Sequence, residues 1–228
     1  MYLKKWDSIP ESMKNEEVKK YYDIISKKRF SLILKRFFDI IVSFVLLIVL
    51  SPIFIVVAIW IKIDSQGSVF YRQERITQYG KSFKIYKFRT MVSNADQIGS
   101  LVTTQNDTRI TRVGKKIRKC RLDEIPQLFN VLSGEMSFVG TRPEVKKYVD
   151  VYTDEMKATL LLPAGVTSLA SIEFKNEDEI ISEFINEENS IDEVYITKVL
   201  PKKMKINLAY LRHFKIGKDI GICVKTIL

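Results

Sequence analysis

An apolar run from Phe37 to Ile61, broken at its middle by Ser51-Pro52 and flanked by Lys35, Arg36 and Lys62, constrains this chain more than any other segment. Roughly 20 apolar residues at about 1.5 Å rise each cover the hydrocarbon of a bilayer, so the run is long enough to cross one. Pro52 opposes a straight passage, because proline lacks an amide donor and its ring clashes with the carbonyl one turn back. Membrane helices tolerate such a break when other groups satisfy the freed backbone. Cations at both ends favour placing both ends on the same side, as in a re-entrant hairpin. On these residues alone three readings stay open: a single span, a re-entrant or interfacial hairpin, and a buried core helix. A secretory signal peptide fits poorly, since the run starts late, is long and lacks a small-residue cleavage pattern. Asp39, near its start, is placed to face the interface, cap a helix or pair with a cation.

Composition narrows the function classes. At 228 residues the chain can form one medium domain, or a membrane element with one compact domain, and the second fits the hydropathy better. A formal net charge of +10 draws anionic headgroups, polyphosphorylated substrates or nucleic acid without choosing among them. Cys120 and Cys223 lie far apart, with neither metal-ligand spacing nor a disulfide-rich pattern, which suits a reducing cytosolic face. A single histidine, His213, argues against a histidine-based triad or zinc site.

Three regions follow. Residues 1–34 carry Trp6, Tyr21, Tyr22 and Phe30 among lysines and read as an interfacial or flexible extension. Residues 35–62 hold the broken apolar run. In residues 63–228, SVFYRQERITQYGKSFKIYKFRTM predicts two cationic strands joined by a turn at Gly80. Residues 93–108 read as a loop, Lys115 to Cys120 as a basic helix, and Pro126 as the start of a helix over Gln127 to Leu132. A helix is expected from Tyr148 to Leu160, acidic segments from Glu173 to Glu193, and amphipathic or apolar helices over Lys202 to Phe214 and Ile220 to Leu228.

The strongest local signal is RKCRLDEIPQLFNVLSGEMSFVGTRP, Arg118 to Pro143. Adjacent Asp123 and Glu124 precede a proline-started helix, and neighbouring carboxylates point about 100° apart, so both reach one site only near a helix end. There one carboxylate can bind a hard divalent ion while the other approaches phosphorus, and Arg109, Arg112, Arg118 and Arg121 can neutralise phosphate. Helix capping and pairing with surface arginines explain the same residues without chemistry.

KRFFDI, the membrane Ser-Pro break, FYRQERI, YKFRTM, LDEIPQLFNVLSGEMSFVGTRP and LLPAGVTSLASI, in this order, resemble the bacterial sugar transferases, specifically their small monotopic polyprenyl-phosphate phosphoglycosyl transferase form. The resemblance covers nearly everything after Leu34. It implies an α/β, mainly helical fold: a re-entrant helix-break-helix hairpin, entered through Arg36 and Asp39 and broken at Ser51 and Pro52, with a compact cytoplasmic catalytic domain containing a small β-hairpin and ending in amphipathic helices. Ser51 can satisfy backbone groups that Pro52 exposes.

The implied reaction moves a sugar 1-phosphate from a UDP-sugar to polyprenyl phosphate, commonly undecaprenyl phosphate, releases UMP, and starts assembly of a bacterial surface glycan. Asp123 matches the nucleophile that forms a phosphoglycosyl-aspartate, and Glu124 its Mg2+-binding partner. Arg118 matches a phosphate-binding arginine, with Arg112 and Arg121 as further phosphate contacts. Thr141, Arg142 and Pro143 match a Pro-Arg-Pro nucleotide-binding motif whose first proline is absent here. Cys120 and Arg121 stand where Thr and Ser are common, and Ser168 where Gly is common. Expected partners are the UDP-sugar, polyprenyl phosphate and inner-membrane phospholipid, with room for downstream glycosyltransferases and a second copy of the chain, and with no nucleic acid. The competing class is a catalytically inactive membrane-tethered scaffold or adaptor, which the charge motivates but no nucleic-acid-binding signature supports.

Overall fold

The computed structural model describes residues 3–95, 107–184 and 190–227. Asn15 caps the first long helix, α1 (Glu16–Ser26), by accepting from the Val18 amide at 2.8 Å. Val18, Tyr21, Tyr22 and Ile25 form its buried stripe, at the i, i+3, i+4, i+7 spacing of one helix face. With Leu3, Ile9 and Met13 they belong to the main hydrophobic core, which also takes in Leu161, Leu200, Leu211 and Phe214.

Two helices follow, α2 (Arg29–Val49) and α3 (Ser51–Asp64), bent by 61° at the expected break. Pro52 lies in the first turn of α3, where a missing amide costs nothing. Ser51 Oγ donates to the Ile48 carbonyl at 2.8 Å, the acceptor that the Pro52 amide would have used in a continuous helix. Among the described residues no single helix is long and apolar enough to cross a membrane, but this bent pair is together. Only a narrow stripe of α2 (Leu32, Lys35, Asp39, Ser43) and Val57 and Ile61 of α3 are buried. Phe37, Phe44, Ile48, Ile55 and Val56 stand exposed, as a surface solvated by acyl chains requires.

The cationic hairpin forms as expected. Strands β1 (Phe70–Ile76) and β2 (Ser82–Phe88) pair antiparallel in the register Phe70↔Phe88, Arg72↔Tyr86, Ile76↔Ser82. Tyr79 and Gly80 turn the chain with positive φ. The basic helix α4 (Arg112–Lys119) starts three residues earlier than the sequence indicates, because Thr111 Oγ1 accepts from the Gly114 amide at 3.0 Å and caps it. A 3₁₀ turn over Leu122–Glu124 leads through Pro126 into α5 (Gln127–Ser133).

A second sheet pairs β3 (Met136–Val139) with β4 (Ala164–Thr167) in parallel. Just past β3, Gly140 meets Gly165 of β4 so closely that a Cβ on Gly165 would lie 2.2 Å from the Gly140 nitrogen. The helix expected from Tyr148 to Leu160 divides into α6 (Lys146–Val149) and a 3₁₀ segment over Met156–Leu161, because Thr153 Oγ1 accepts from the Met156 amide and restarts the chain there. Short helix α7 (Leu169–Glu173) leads into the acidic stretch, which α8 (Glu177–Phe184) and α9 (Ile191–Val194) occupy. A π turn over Tyr195–Val199 precedes α10 (Leu200–Arg212), and α11 (Ile216–Ile227) completes the described chain. Most of the loop expected over residues 93–108, and residues 185–189 of the acidic stretch, lie outside the described residues.

Candidate active site

The catalytic candidates are presented by a turn that is pinned on both sides. Arg121 adopts a left-handed conformation (φ 55°), which ends α4 and reverses the chain into the 3₁₀ turn. Leu122 packs against the cluster of Val57, Ile61, Phe88, Val113 and Ile117. With Leu122 held inward against α3 and α4, the next two side chains leave the turn in different directions.

Asp123 lines a cavity of about 330 Å³ together with Arg118 and with Arg72, Arg75 and Lys87 of the hairpin. Glu124 turns away, and its Oε1 accepts from Lys87 Nζ at 2.9 Å and from Arg142 Nη2 at 2.7 Å. Burial alone would raise the Glu124 pKa, but the charges of Arg142 and Lys87 outweigh it and hold the carboxyl well below the usual range. Asp123 moves the other way. Burial pushes it up, Lys87 opposes, the neighbouring Glu124 charge adds to the rise and Arg118 opposes again, with the net above an ordinary aspartate. Lys87 is itself lowered by burial, against the pull of Glu124.

The loop that carries Arg142 is fastened from below. Arg75 Nη1 donates to the Pro143 carbonyl at 3.2 Å, and the Gly165 amide donates to the Thr141 carbonyl at 2.9 Å. Thr141 and Arg142 also line a small cleft beside Glu144. The geometry therefore brings Asp123, Glu124, Arg118, Arg142, Pro143 and Thr141 into one neighbourhood. Arg112 opens α4 and Arg121 is exposed on the turn, and neither lines the cavity.

Sequence reasoning passed over Lys87, Arg72 and Arg75. Their signal was the strand alternation itself: Tyr71, Gln73, Arg75 and Lys87 fall on one face of the hairpin and Phe70, Arg72, Tyr86 and Phe88 on the other. A lysine inside a strand reads as a solvent-facing charge until the Glu124 carboxylate that it donates to comes into view.

Arg36 and Asp39 do more than mark the start of the apolar run. Arg36 donates to the Val131 and Leu132 carbonyls at 2.6 and 2.8 Å, capping the end of α5, where Gly134 (φ 90°) leaves room for the guanidinium. Asp39 Oδ1 accepts from the Phe138 amide of β3 at 3.1 Å. Thus α2 holds both the helix that follows the Asp123-Glu124 turn and the strand after it.

The turn of paired carboxylates among cations and the bent apolar helix pair both fall within residues 30–228, which match the model described as "Bacterial sugar transferase". The chain belongs to the bacterial sugar transferase family. It is 34% identical over 179 residues to the UDP-N-acetylgalactosamine-undecaprenyl-phosphate N-acetylgalactosaminephosphotransferase of Aeromonas hydrophila, covering 77% of this chain and 38% of that one. Identity to the UDP-glucose:undecaprenyl-phosphate glucose-1-phosphate transferase of Klebsiella pneumoniae is 35% over 182 residues, covering 77% and 35%. The exopolysaccharide production protein ExoY of Rhizobium meliloti (strain 1021) is 33% identical over 191 residues, covering 77% and 76%. The matched region thus spans little more than a third of the first two relatives and about three quarters of the third.

As to metal, no group of three or more His, Cys, Asp or Glu side chains converges among the described residues. Mg2+ takes its protein ligands from one or two carboxylates and fills the remaining positions with water and substrate phosphates. Asp123, which lines the cationic cavity, and the adjacent Glu124, whose Oε1 is taken by Lys87 and Arg142, supply the two neighbouring carboxylates of that donor set.

Proposed function

We propose that this protein is a small monotopic phosphoglycosyl transferase that moves a sugar 1-phosphate from a UDP-sugar to polyprenyl phosphate, releasing UMP and starting assembly of a bacterial surface glycan. The observation that carries this reading is the contrast between two neighbouring carboxylates: Asp123 faces the cavity with a raised pKa, while Glu124 is locked between Lys87 and Arg142. Neighbouring groups driven apart in pKa take different roles, here nucleophile and charge-holding partner.

In the first step an Asp123 carboxylate oxygen attacks the sugar-bearing phosphorus. The Asp–O–P bond forms, the bond to the UMP oxygen breaks, and UMP leaves with the electron pair. In the second step a phosphate oxygen of polyprenyl phosphate attacks the same phosphorus and Asp123 is released as carboxylate. Arg118 and Arg72 in the cavity neutralise the phosphate oxygens, and Arg142, with Thr141 and Pro143, faces the nucleotide end. Lys87 and Arg142 keep Glu124 ionised, and Lys87 also favours the ionised, attacking form of Asp123. Glu124, with Asp123 beside it, would hold Mg2+, which when bound offsets diphosphate charge and improves the leaving group.

The same reading makes the bent helix pair re-entrant. Lys35 and Arg36 before it and Lys62 after it place both ends, and the catalytic domain with them, on the cytoplasmic face of the inner membrane. The assay is direct: full-length protein in lipid with a panel of UDP-sugars, polyprenyl phosphate and Mg2+, read by UMP release. Absence of UMP across a broad donor panel, from folded protein, overturns the proposal.

A further inference from the structure

Five aromatic rings from four elements, α3, β1, β2 and α5, make contact in an unbroken array. Phe54 of α3 lies 5.3 Å from Phe88 and 5.8 Å from Phe129 of α5, ring centre to ring centre. Phe129 lies 6.1 Å from Tyr86, Tyr86 is 6.4 Å from Phe70, and Phe70 stacks on Phe88 at 5.5 Å. Packing the core does not require all of these rings at the surface. Leu128 and Val131 already bury the inner face of α5, yet Phe129 is 43% exposed, and Phe70 is 37% exposed.

The two ends of the array differ in chemistry. At one end Phe54 belongs to α3, whose Ile55, Val56 and Ile59 form part of the exposed apolar surface of the bent pair. At the other, Phe70 and Phe88 line the cavity that holds Asp123 and Arg118. Arg72 closes that end, with its guanidinium 4.5 Å above the Tyr86 ring. An apolar row that begins at a membrane helix and ends among cations complements a molecule with a long apolar chain and a phosphate head. Flat rings offer such a chain large contact area at low entropic cost.

We propose that this array seats the isoprenoid chain of the polyprenyl phosphate acceptor, which leaves the bilayer along Phe54 and Phe129 and passes Tyr86 and Phe70 so that its phosphate enters the cavity beside Asp123. The inference rests on the proposed function and adds the path of the acceptor. Phospholipid acyl chains and a second copy of the chain are the rival occupants, and the experiment separates them.

The full-length protein, carrying a benzophenone amino acid at position 129, is placed in nanodiscs that contain undecaprenyl phosphate in a phosphatidylglycerol and phosphatidylethanolamine bilayer, and is irradiated. A protein–polyprenyl phosphate adduct is the expected product, with none from the same group at position 184, where Phe184 is also exposed. Adducts only with phospholipid, or only with another copy of the chain, overturn the proposal. In kinetics, Phe129→Ala should raise KM for undecaprenyl phosphate about tenfold, the effect of losing one ring's apolar contact. Phe129→Leu should recover most of it, and formation of the protein-linked phosphosugar from donor alone should not change. A phosphate bearing only one or two isoprene units does not reach Phe129 and should be used equally by all three proteins. An unchanged KM in Phe129→Ala, or equal losses with the short and long acceptors, overturns the proposal. Failure of the wild type to release UMP from any donor would remove the proposed function, whereas the cross-link reports on the array independently of turnover.

Discussion

Asp123 and Glu124 are chemically similar neighbours that the fold sends to different environments. Asp123→Asn should abolish the protein-linked phosphosugar, measured by intact-protein mass spectrometry after incubation with donor. The same change should raise the thermal midpoint, on the order of 2 °C for a domain of this size. The sign follows from the raised Asp123 pKa: above it, the ionised side chain costs the folded state stability through burial and the facing Glu124 charge, and the amide removes that cost. The pH profile carries a second test. Activity should fall as pH drops through the raised Asp123 pKa, and Lys87→Met should move this acid limb to higher pH because Lys87 opposes the rise. A limb that stays in place would make Lys87 a bystander. The paired carboxylates and Arg118 could be named from the motif, because a proline-started helix after LDE forces a turn there, whereas Arg112 and Arg121, named with them, do not line the cavity. Lys87 could not, since its meaning depends on a carboxylate 37 positions away that only strand pairing and the 3₁₀ turn bring within 2.9 Å.

The bent helix pair was legible for a local reason: Pro52 removes an amide and Ser51 supplies a hydroxyl to the carbonyl left behind, both within one turn. Pro52→Leu restores the amide and should straighten the element. Cysteines engineered at both flanks in sealed vesicles should label from one side in the parent, and from opposite sides in the variant if the straight helix then spans. The docking role of α2 was not legible, because Arg36 and Asp39 meet main-chain groups of α5 and β3 that lie nearly a hundred residues away. Arg36→Ala leaves the Val131 and Leu132 carbonyls without their cap, and should destabilise the protein by about 1–3 kcal/mol in denaturant titration. It should also lower turnover, since the helix that follows the Asp123 turn loses its anchor.

Across the whole molecule, α2 is tied to the end of the chain by a buried ion pair. Lys35 Nζ donates to Asp219 Oδ2, and the Tyr210 hydroxyl donates to Asp219 Oδ1 at 2.9 Å. Lys35→Met alone strands the Asp219 carboxylate in an apolar setting and should cost about 3–5 kcal/mol, whereas Lys35→Met with Asp219→Leu should recover most of it in the same denaturant titration. No motif announced the pair: a lysine before an apolar run resembles a headgroup contact, and an aspartate near the chain's end resembles surface charge. Similarly, α1 packs against the 3₁₀ segment over Met156–Leu161 and against α10, both in the last third of the chain, and the segment before it shares that core. What the sequence determined by itself was whatever depends on neighbours within a turn or two: the broken apolar helix, the β-hairpin, the proline-started helix and the carboxylate pair ahead of it. The tertiary structure alone decided which of 37 cations face those carboxylates and how the Asp123-Glu124 turn is fixed to the bent helix pair. Charge and hydrogen-bond energies depend on distances of a few ångströms, and between residues far apart in the chain only folding sets those distances.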